Sequence, residues 1–448
     1  MAVTGMIAVF IVGYVFIALE HKIKINKSAT ALLMSGVLWT IFILSAHRFG
    51  LTVEQVNADI ATGLESACEI LVYLIGAMTI VDLIDLHGGF NFITRKITTR
   101  NKVKLLWIIT IITFFMSAAL DNMTTTIIMV MLLRKLIANY KERWVFASVI
   151  VIAANSGGAW SPIGDVTTIM LWMKGNVSSQ DLMGWLFLPS AVSTVIPAFV
   201  ASRILRGIIT APGYEDESAN LPEGITEKDS RFLLVLGVLM LLFVPVYKTI
   251  THLPPYMAMM ISLGVMWLVT EVMYDKKRDI EESIKERVAK VLKHIDMSTI
   301  LFFLGILMAV SALESAGVLG DFAGFLDRKV HNIYAINTLI GVLSSIVDNV
   351  PLVAATMGMY PVADPTTVAA AADPSFAGLF VADGPFWHLL AYCAGVGGSL
   401  LIIGSAAGVV AMGLEKINFM WYLKNFSLMA FIGYLAGIGV FMLEMLLF

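Results

Sequence analysis

The chain has 448 residues, 58% of them hydrophobic and only 14% charged, with a net charge of −3 and a mean hydropathy of +0.84. Soluble domains run nearer to about half apolar and a quarter charged, so an ordinary soluble protein is excluded and an all-α polytopic membrane protein is expected, its solvent the lipid bilayer and its backbone hydrogen bonds closed inside helices. Cys68 and Cys393 fall in apolar segments without ligand spacing or a case for a disulfide; dinucleotide fingerprints and P-loops are missing from the sequence, so no enzyme, cofactor, nucleotide or nucleic-acid partner is expected.

Ten crossings are predicted, at about 3–20, 29–46, 67–85, 143–174, 182–208, 231–250, 254–274, 298–316, 386–412 and 422–447, each near the roughly 20-residue requirement. The first has no basic start and no small-residue cleavage site, so it reads as a crossing, not a signal peptide. Two further apolar segments, 104–138 and 333–360, read as re-entrant hairpins that enter and leave on one side. At their centres stand Ser117-x-x-x-Asp121-Asn122 and Ser344-x-x-x-Asp348-Asn349, 227 residues apart. A carboxylate at membrane depth is costly and usually marks an ion or proton pathway. The i,i+4 spacing is expected to put Ser117 and Asp121 on one helical face, and likewise Ser344 and Asp348. Thr124 and Thr125 follow the first tip, and Pro351 after the second suits the start of a new half-helix.

Two crossings contain breakers. ANSGGAWSPIGDVTT in 143–174 ends near Asp165 and Thr167, and AGVGGSLLIIGSAAG in 386–412 contains Ser399 and Ser405. Unwound backbone is tolerated at membrane depth only where it lines a cavity or is buried in protein, so these loops are expected against the hairpin tips. The residues 211–230 read as a cytoplasmic linker, 279–293 as a charged cytoplasmic surface or membrane-edge helix, and 361–384 as an external loop whose acids could attract cations but which reads first as a plain surface loop. Asp82, Asp85 and Glu314 sit toward helix ends, where a headgroup-level or packing role is as good an account as a functional one.

Loop charge sets direction. Segments 21–28, 85–104, 134–143, 203–231, 275–297 and 413–424 carry 25 of the 30 Lys and Arg residues, and the opposite loops carry 5. The positive-inside rule then places both termini on the non-cytoplasmic side of the inner (plasma) membrane. The halves also resemble each other. Gly76, Asp85 and Gly88 align with Gly305, Glu314 and Gly317, the Asp-Asn pairs correspond, and Gly157-Gly158-x5-Gly164-Asp165 matches Gly397-Gly398-x5-Gly404-Ser405. With five crossings and one hairpin each, 1–210 and 231–448 are expected to be inverted-topology repeats, the plan of many secondary transporters.

Carbonyl oxygens, hydroxyls, amide oxygens and carboxylates are hard ligands suited to Na⁺ or Li⁺. One site is expected from Ser117, Asp121, Asn122 and Thr125, and a second from Ser344, Asp348, Asn349 and Ser399, with Na⁺ at Asp121, Asn122, Asp348 and Asn349 and with Asp165 and Thr167 between or beside them. Asp121, Asp165 and Asp348 have no Lys or Arg in their central apolar segments, which favours cations over organic anions. A carboxylate that holds H⁺ or Na⁺, but not both, couples the two flows.

At SAALDNMTTTIIMV, NSGGAWSPIGDVTT, SSIVDNVPLVAA and GGSLLIIGSAAG the chain resembles the NhaD-type sodium/proton antiporters of the ion transporter superfamily, over nearly its whole length. The resemblance implies roles for Ser117, Asp121, Asn122, Thr124, Asp165, Thr167, Ser344, Asp348 and Asn349. Ser399 and Ser405 map less directly, because the 361–384 insertion disturbs the register. It also implies a homodimer with an outer scaffold and a moving transport part. Carboxylate carriers of the superfamily typically have Ser-Asn-Thr at the tips, where this chain has Asp121 and Asp348. Exchange of Na⁺ or Li⁺ for H⁺ is therefore expected; the alternative is an anion or metalloid carrier, an arsenite permease or a sodium-coupled dicarboxylate transporter, on the same scaffold.

Overall fold

The computed structural model describes residues 2–18, 23–89, 99–205, 207–209, 225–251, 253–275, 287–346, 349–371 and 373–447. Asp348 lies outside the described residues, as do 211–224 of the linker and 279–286 of the charged run. Among the described residues the chain is helical, with isolated bridges and no strand. In order these are α1 (Ala2–Ala18), α2 (Lys27–Leu44), α3 (Val53–Leu86), α4 (Lys102–Leu120), α5 (Asn122–Leu136), α6 (Tyr140–Ala159), α7 (Val166–Met173), α8 (Ser179–Ile204), α9 (Glu227–Thr251) and α10 (Pro255–Asp275). They are followed by α11 (Met297–Ser315), α12 (Val318–Lys329), α13 (Ile333–Ser344), α14 (Asn349–Met359), α15 (Pro385–Gly397), α16 (Ala406–Glu415), α17 (Phe419–Asn425) and α18 (Ser427–Leu447). Short helical turns lie between some of these.

Eight of the described helices are long and apolar enough to cross a membrane, by length and composition: α2, α3, α4, α8, α9, α10, α11 and α18. The chain is thus an all-α polytopic membrane protein. Several boundaries differ from the sequence expectation. α3 is a 34-residue helix, because Thr52 and Gln55 form a reciprocal capping box that starts it well before residue 67. The last predicted crossing is divided at Phe426 into α17 and α18. Both expected breaks are present: α6 stops at Ala159 and α7 starts at Val166, while α15 stops at Gly397 and α16 starts at Ala406. The arms of the two expected hairpins are unequal. α4 has 19 residues, as long as a crossing, whereas α13 has 12 and α14 has 11.

Two packing groups emerge. α1, α2, α3, α9, α10 and α11 pack together, and α4–α8 pack with α13–α18; the groups meet where α11 touches α14, α9 touches α4 and α3 touches α7. α6 from Phe146 onward and α15 from Phe386 onward are buried all round, the mark of a helix at the centre of a large apolar body. α4 and α5 both lean on α6, and α13 and α14 on α15.

Glycine allows the closest of these approaches. A Cβ on Gly157 would lie 2.2 Å from the carbonyl oxygen of Phe114 in α4, and one on Gly397 would lie 2.2 Å from the carbonyl oxygen of Gly341 in α13. The obstacle is backbone in both cases, so a side chain cannot be accommodated by a rotamer change.

Polar contacts tie loops together at two ends of the bundle. At one end Lys102 pairs with Glu142 (2.9 Å), Arg134 and Arg143 pair with Glu415, and Asn26 donates to Ser298 Oγ. At the other, Lys174 pairs with Glu69 (3.8 Å) and the Ser178 backbone N–H donates to Asp383. In the 361–384 loop, Asp364 and Asp373 cap the short helices Pro365–Ala370 and Pro374–Ala377. Hydrogen bonds from Thr366 and Thr367, and from Ser375 and Phe376, hold both carboxyls down at about 2. These two acids organise the loop.

Gly157→Ala and Gly397→Ala are expected to destabilise the purified protein by about 1–3 kcal/mol each through overpacking against backbone. Gly439→Ala, where nothing lies within 4 Å, should leave the melting temperature unchanged. Thermal unfolding in detergent checks all three.

Candidate cation site

The first tip is a single residue. α4 ends at Leu120, α5 begins at Asn122, and Asp121 between them has φ 105° and ψ 158°. That region of backbone space is almost reserved for glycine and costs about 1–3 kcal/mol for another residue. The break also changes the expected geometry. Asp121 leaves the helix, so it does not share a helical face with Ser117. Its Oδ1 accepts from the Thr124 backbone N–H (2.8 Å) and its Oδ2 from Thr124 Oγ1 (2.7 Å), which caps α5. The side chain of Ser117 turns the other way and donates to the Ala154 carbonyl of α6 (2.6 Å).

Asn122 and Asn349, the first residues of α5 and α14, converge on one acid. Asn122 Nδ2 donates to Asp165 Oδ2 at 2.6 Å, and Asn349 Nδ2 donates to Asp165 Oδ2 at 3.2 Å and Oδ1 at 3.3 Å. Asp165 itself caps α7: the backbone N–H and Oγ1 of Thr167 both donate to Oδ1 at 2.9 Å. Asp165 is 2% exposed. Donors from three helix starts surround it, which suits a buried charge.

A further residue extends this cluster. Asn155 of α6 accepts from Asn122 through Oδ1 (3.1 Å) and donates through Nδ2 to Ser405 Oγ (2.8 Å). Ser405 caps α16 as Asp165 caps α7. Asn155 is not among the site residues expected from the sequence; an amide two residues before Gly-Gly in an otherwise apolar crossing is the available signal. Ser161, in the same break, donates to the Ala118 carbonyl at 2.5 Å and holds the end of α4 in place.

The other expected residues divide. Ser344 donates to the Ala394 carbonyl (2.8 Å), as Ser117 does to Ala154. Ser399 donates to its own Val396 carbonyl and is not turned toward Asp165. Thr125 Oγ1 is fully buried one turn from the tip and has no hydrogen-bond partner among the described residues. A buried hydroxyl left without a partner costs about 1–3 kcal/mol unless something else meets it. Asp121, Asn122, Thr124, Thr125, Asp165, Thr167, Asn349 and Ser405 thus share one neighbourhood, with Asn155 added.

A cavity of about 570 Å³ lies at the end of the bundle that carries Lys174, and its wall holds none of the residues gathered at Asp165. It lies between α3 and α11 of one packing group and α7 and α14 of the other, with Ser66, Ser311, Glu314 and Lys174 on its wall. Its wall includes Met170 and Ala354. Each lies five residues beyond the helix start that holds Asp165 or Asn349, about 7 Å of helix rise.

Comparison with known proteins places the chain in a family. Residues 14–382 match a family model described as citrate transporter. The chain is 42% identical to sodium/proton antiporter 1 of Arabidopsis thaliana over 438 residues, covering 98% of this chain and 72% of that protein. It is 43% identical to sodium/proton antiporter 2 of the same plant over 445 residues, 98% of each chain. It is 31% identical to the Na(+)/H(+) antiporter NhaD of Vibrio cholerae over 460 residues, covering 97% of this chain and 90% of that protein.

The strain at Asp121 separates backbone from carboxylate. Asp121→Gly relieves about 1–3 kcal/mol of strain and loses about 1 kcal/mol of cap, so it should melt no lower than the parent protein. Asp121→Ala keeps the strain and loses the cap, so it should melt lower. Paired melting curves decide it.

Proposed function

The chain belongs to the citrate-transporter family and, within it, to the NhaD-type sodium/proton antiporters, and from that footing we propose that it exchanges Na⁺ or Li⁺ for H⁺ across a membrane. One observation carries the proposal: the buried Asp165 carboxylate is held between the Asn122 and Asn349 amides, and Thr125, one turn into the helix that Asn122 begins, has a buried hydroxyl with no hydrogen-bond partner among the described residues. In the structure the amides present N–H groups to the carboxylate. Rotating each amide by half a turn presents its oxygen instead. Carboxylate, amide and hydroxyl oxygens then make a hard-ligand set for a small alkali cation. A proton on the carboxylate removes its charge and with it the pull on the cation, so the two compete. Asp121 and Asp348 join the exchange from the two tips.

The inverted repeat is part of the proposal. Ser117 on Ala154 and Ser344 on Ala394, Gly157 on Phe114 and Gly397 on Gly341, and the caps at Asp165 and Ser405 are contacts that recur in pairs. Re-entrant tips are supported by the Lys102–Glu142 pair, which brings the start of α4 and the residues after α5 to one end. The basic end is assigned to the cytoplasm of a plasma (inner) membrane, leaving both termini outside. The cavity at the opposite end is then the access route for the external cation. A second copy of the chain is the proposed partner.

Citrate, dicarboxylate or arsenite carriage is the rival reading. In everted vesicles, Na⁺ or Li⁺ should dissipate a preformed pH gradient and K⁺ much less. Asp165→Asn, Asp121→Asn and Asp348→Asn should each slow this by more than about tenfold, as loss of a charged ligand does. Uptake of citrate or arsenite with no proton movement on adding Na⁺ would sink the antiport reading. A second test addresses the cavity. Ser66→Cys, in a chain whose exposed Cys68 is replaced by Ser, should react with a membrane-impermeant thiol reagent from the non-cytoplasmic side and slow exchange. Reaction only from the cytoplasmic side would overturn the assigned orientation.

A further inference from the structure

At the basic end of the bundle, Glu415 is a charged residue whose side chain has no exposure at all. Its two oxygens take two different arginines: Arg134 Nε donates to Oε1 at 2.8 Å and Arg143 Nε to Oε2 at 2.7 Å. The backbone is held as well. Trp144 Nε1 donates to the Glu415 carbonyl (2.9 Å), and Arg134 donates to the Leu414 carbonyl. Arg143 also donates to the carbonyls of Ile137 and Ala138 at 3.0 Å, which fixes the turn between α5 and α6.

Carbonyls in the last turn of a helix need partners from outside the helix. In α16 two of them are supplied by side chains from the end of α5 and the start of α6. The same three helices meet again at their other ends, where Asn122 of α5, Asn155 of α6 and Ser405 at the start of α16 form a hydrogen-bonded line. Two rungs therefore join three rods. Along α16 the rungs are about 15 Å apart, from a rise of 1.5 Å per residue. A shift of α16 at Glu415 is carried by a stiff helix to Ser405, and from there to Asn155 and Asn122.

We propose that Glu415, gripped by Arg134 and Arg143, is a positioning residue that sets the spacing of the Asn122–Asn155–Ser405 line and so the cation affinity of the Asp165 site. The inference rests on the proposed exchange for its functional readout and on the geometry alone for its structural one. Glu415 touches no transported ion. Its loss leaves two guanidinium groups facing each other without a counter-charge, which drives them and the helix ends apart. Coordination depends on sub-ångström placement, so the effect falls on affinity before it falls on maximal rate.

The test uses the full chain reconstituted in liposomes. Glu415→Gln keeps the shape and removes the charge. It is expected to raise the KM for Na⁺ by about tenfold, the lower range for loss of a supporting contact, with the maximal rate little changed. Arg143→Gln should raise KM too, and adding it to Glu415→Gln should add little, because the two share one interaction. Glu415→Asp should recover part of the affinity. Unchanged KM in folded Glu415→Gln overturns the proposal. Should that variant not fold, Arg134→Gln, altered at a half-exposed guanidinium, is measured instead, and unchanged KM there overturns it equally. If the parent protein moves no protons in response to Na⁺, the antiport reading has failed and amide hydrogen exchange reads the clasp. Glu415→Gln, or Arg134→Gln in its place, must then speed exchange at the starts of α5 and α16; unaltered protection there overturns the clasp by itself.

Discussion

A carboxylate shut away from water must be met by donors, and at Asp165 those donors come from both halves of the chain. Asn122 reaches it from the start of α5, Asn349 from the start of α14, and Thr167 from the first turn of α7. Each of these groups stands at a helix start, where backbone N–H groups lack intrahelical partners and negative charge is favoured. The charge is tolerated because three helix ends are aimed at one point, and they can be aimed there only because the crossing is broken. An unbroken helix from 143 to 174 would have no such end to offer. The cost of the break is contained by burial, since Asn155 through Gly164 is enclosed in protein and away from lipid.

The rest of the packing follows from bringing those ends together. α4 must lie almost backbone to backbone on α6, hence Gly157 against the Phe114 carbonyl; α13 must do the same on α15, hence Gly397 against Gly341. Ser117 and Ser344 then use their hydroxyls to pin these contacts to Ala154 and Ala394. These serines lie in the same short motifs as the tip acids, yet they serve the fit between helices. The tip itself is strained at Asp121, and that strain persists because Thr124 and the start of α5 hold the side chain on both oxygens.

Much of this was legible in the sequence because the signals are chemical oddities in an apolar background. Asp, Asn, Gly-Gly and Pro inside hydrophobic runs located both breaks and the neighbourhood that gathers Asp121, Asn122, Asp165 and Asn349. What was not legible depends on backbone direction. Periodicity assumed helix through Asp121 and so gave it the same face as Ser117; a φ of 105° ends that relation. The 361–384 segment reads as a surface loop by composition, but the local work of its acids needs the backbone: Asp364 and Asp373 each sit just before a proline-led helical turn and cap it. Asn155 was hidden for another reason. Its aligned position in the second half is Gly395, so the repeat that exposed the other residues gave no support for it. Glu415 was hidden because its partners lie more than 270 residues away in sequence, and no local pattern announces them.

The departures from symmetry carry the last step of the argument. If both halves supplied an acid at the second break, two buried carboxylates would face the same pair of amides, and like charges that close cannot both stay ionised. The chain has Asp165 at one break and Ser405 at the other. Ser405 still caps its half-helix, and it accepts from Asn155 in place of a tip amide. Both tip amides are then free to share the one remaining charge. In the proposed exchange this gives a single fixed carboxylate with a mobile partner on each side, so a movement of either tip alters the same site.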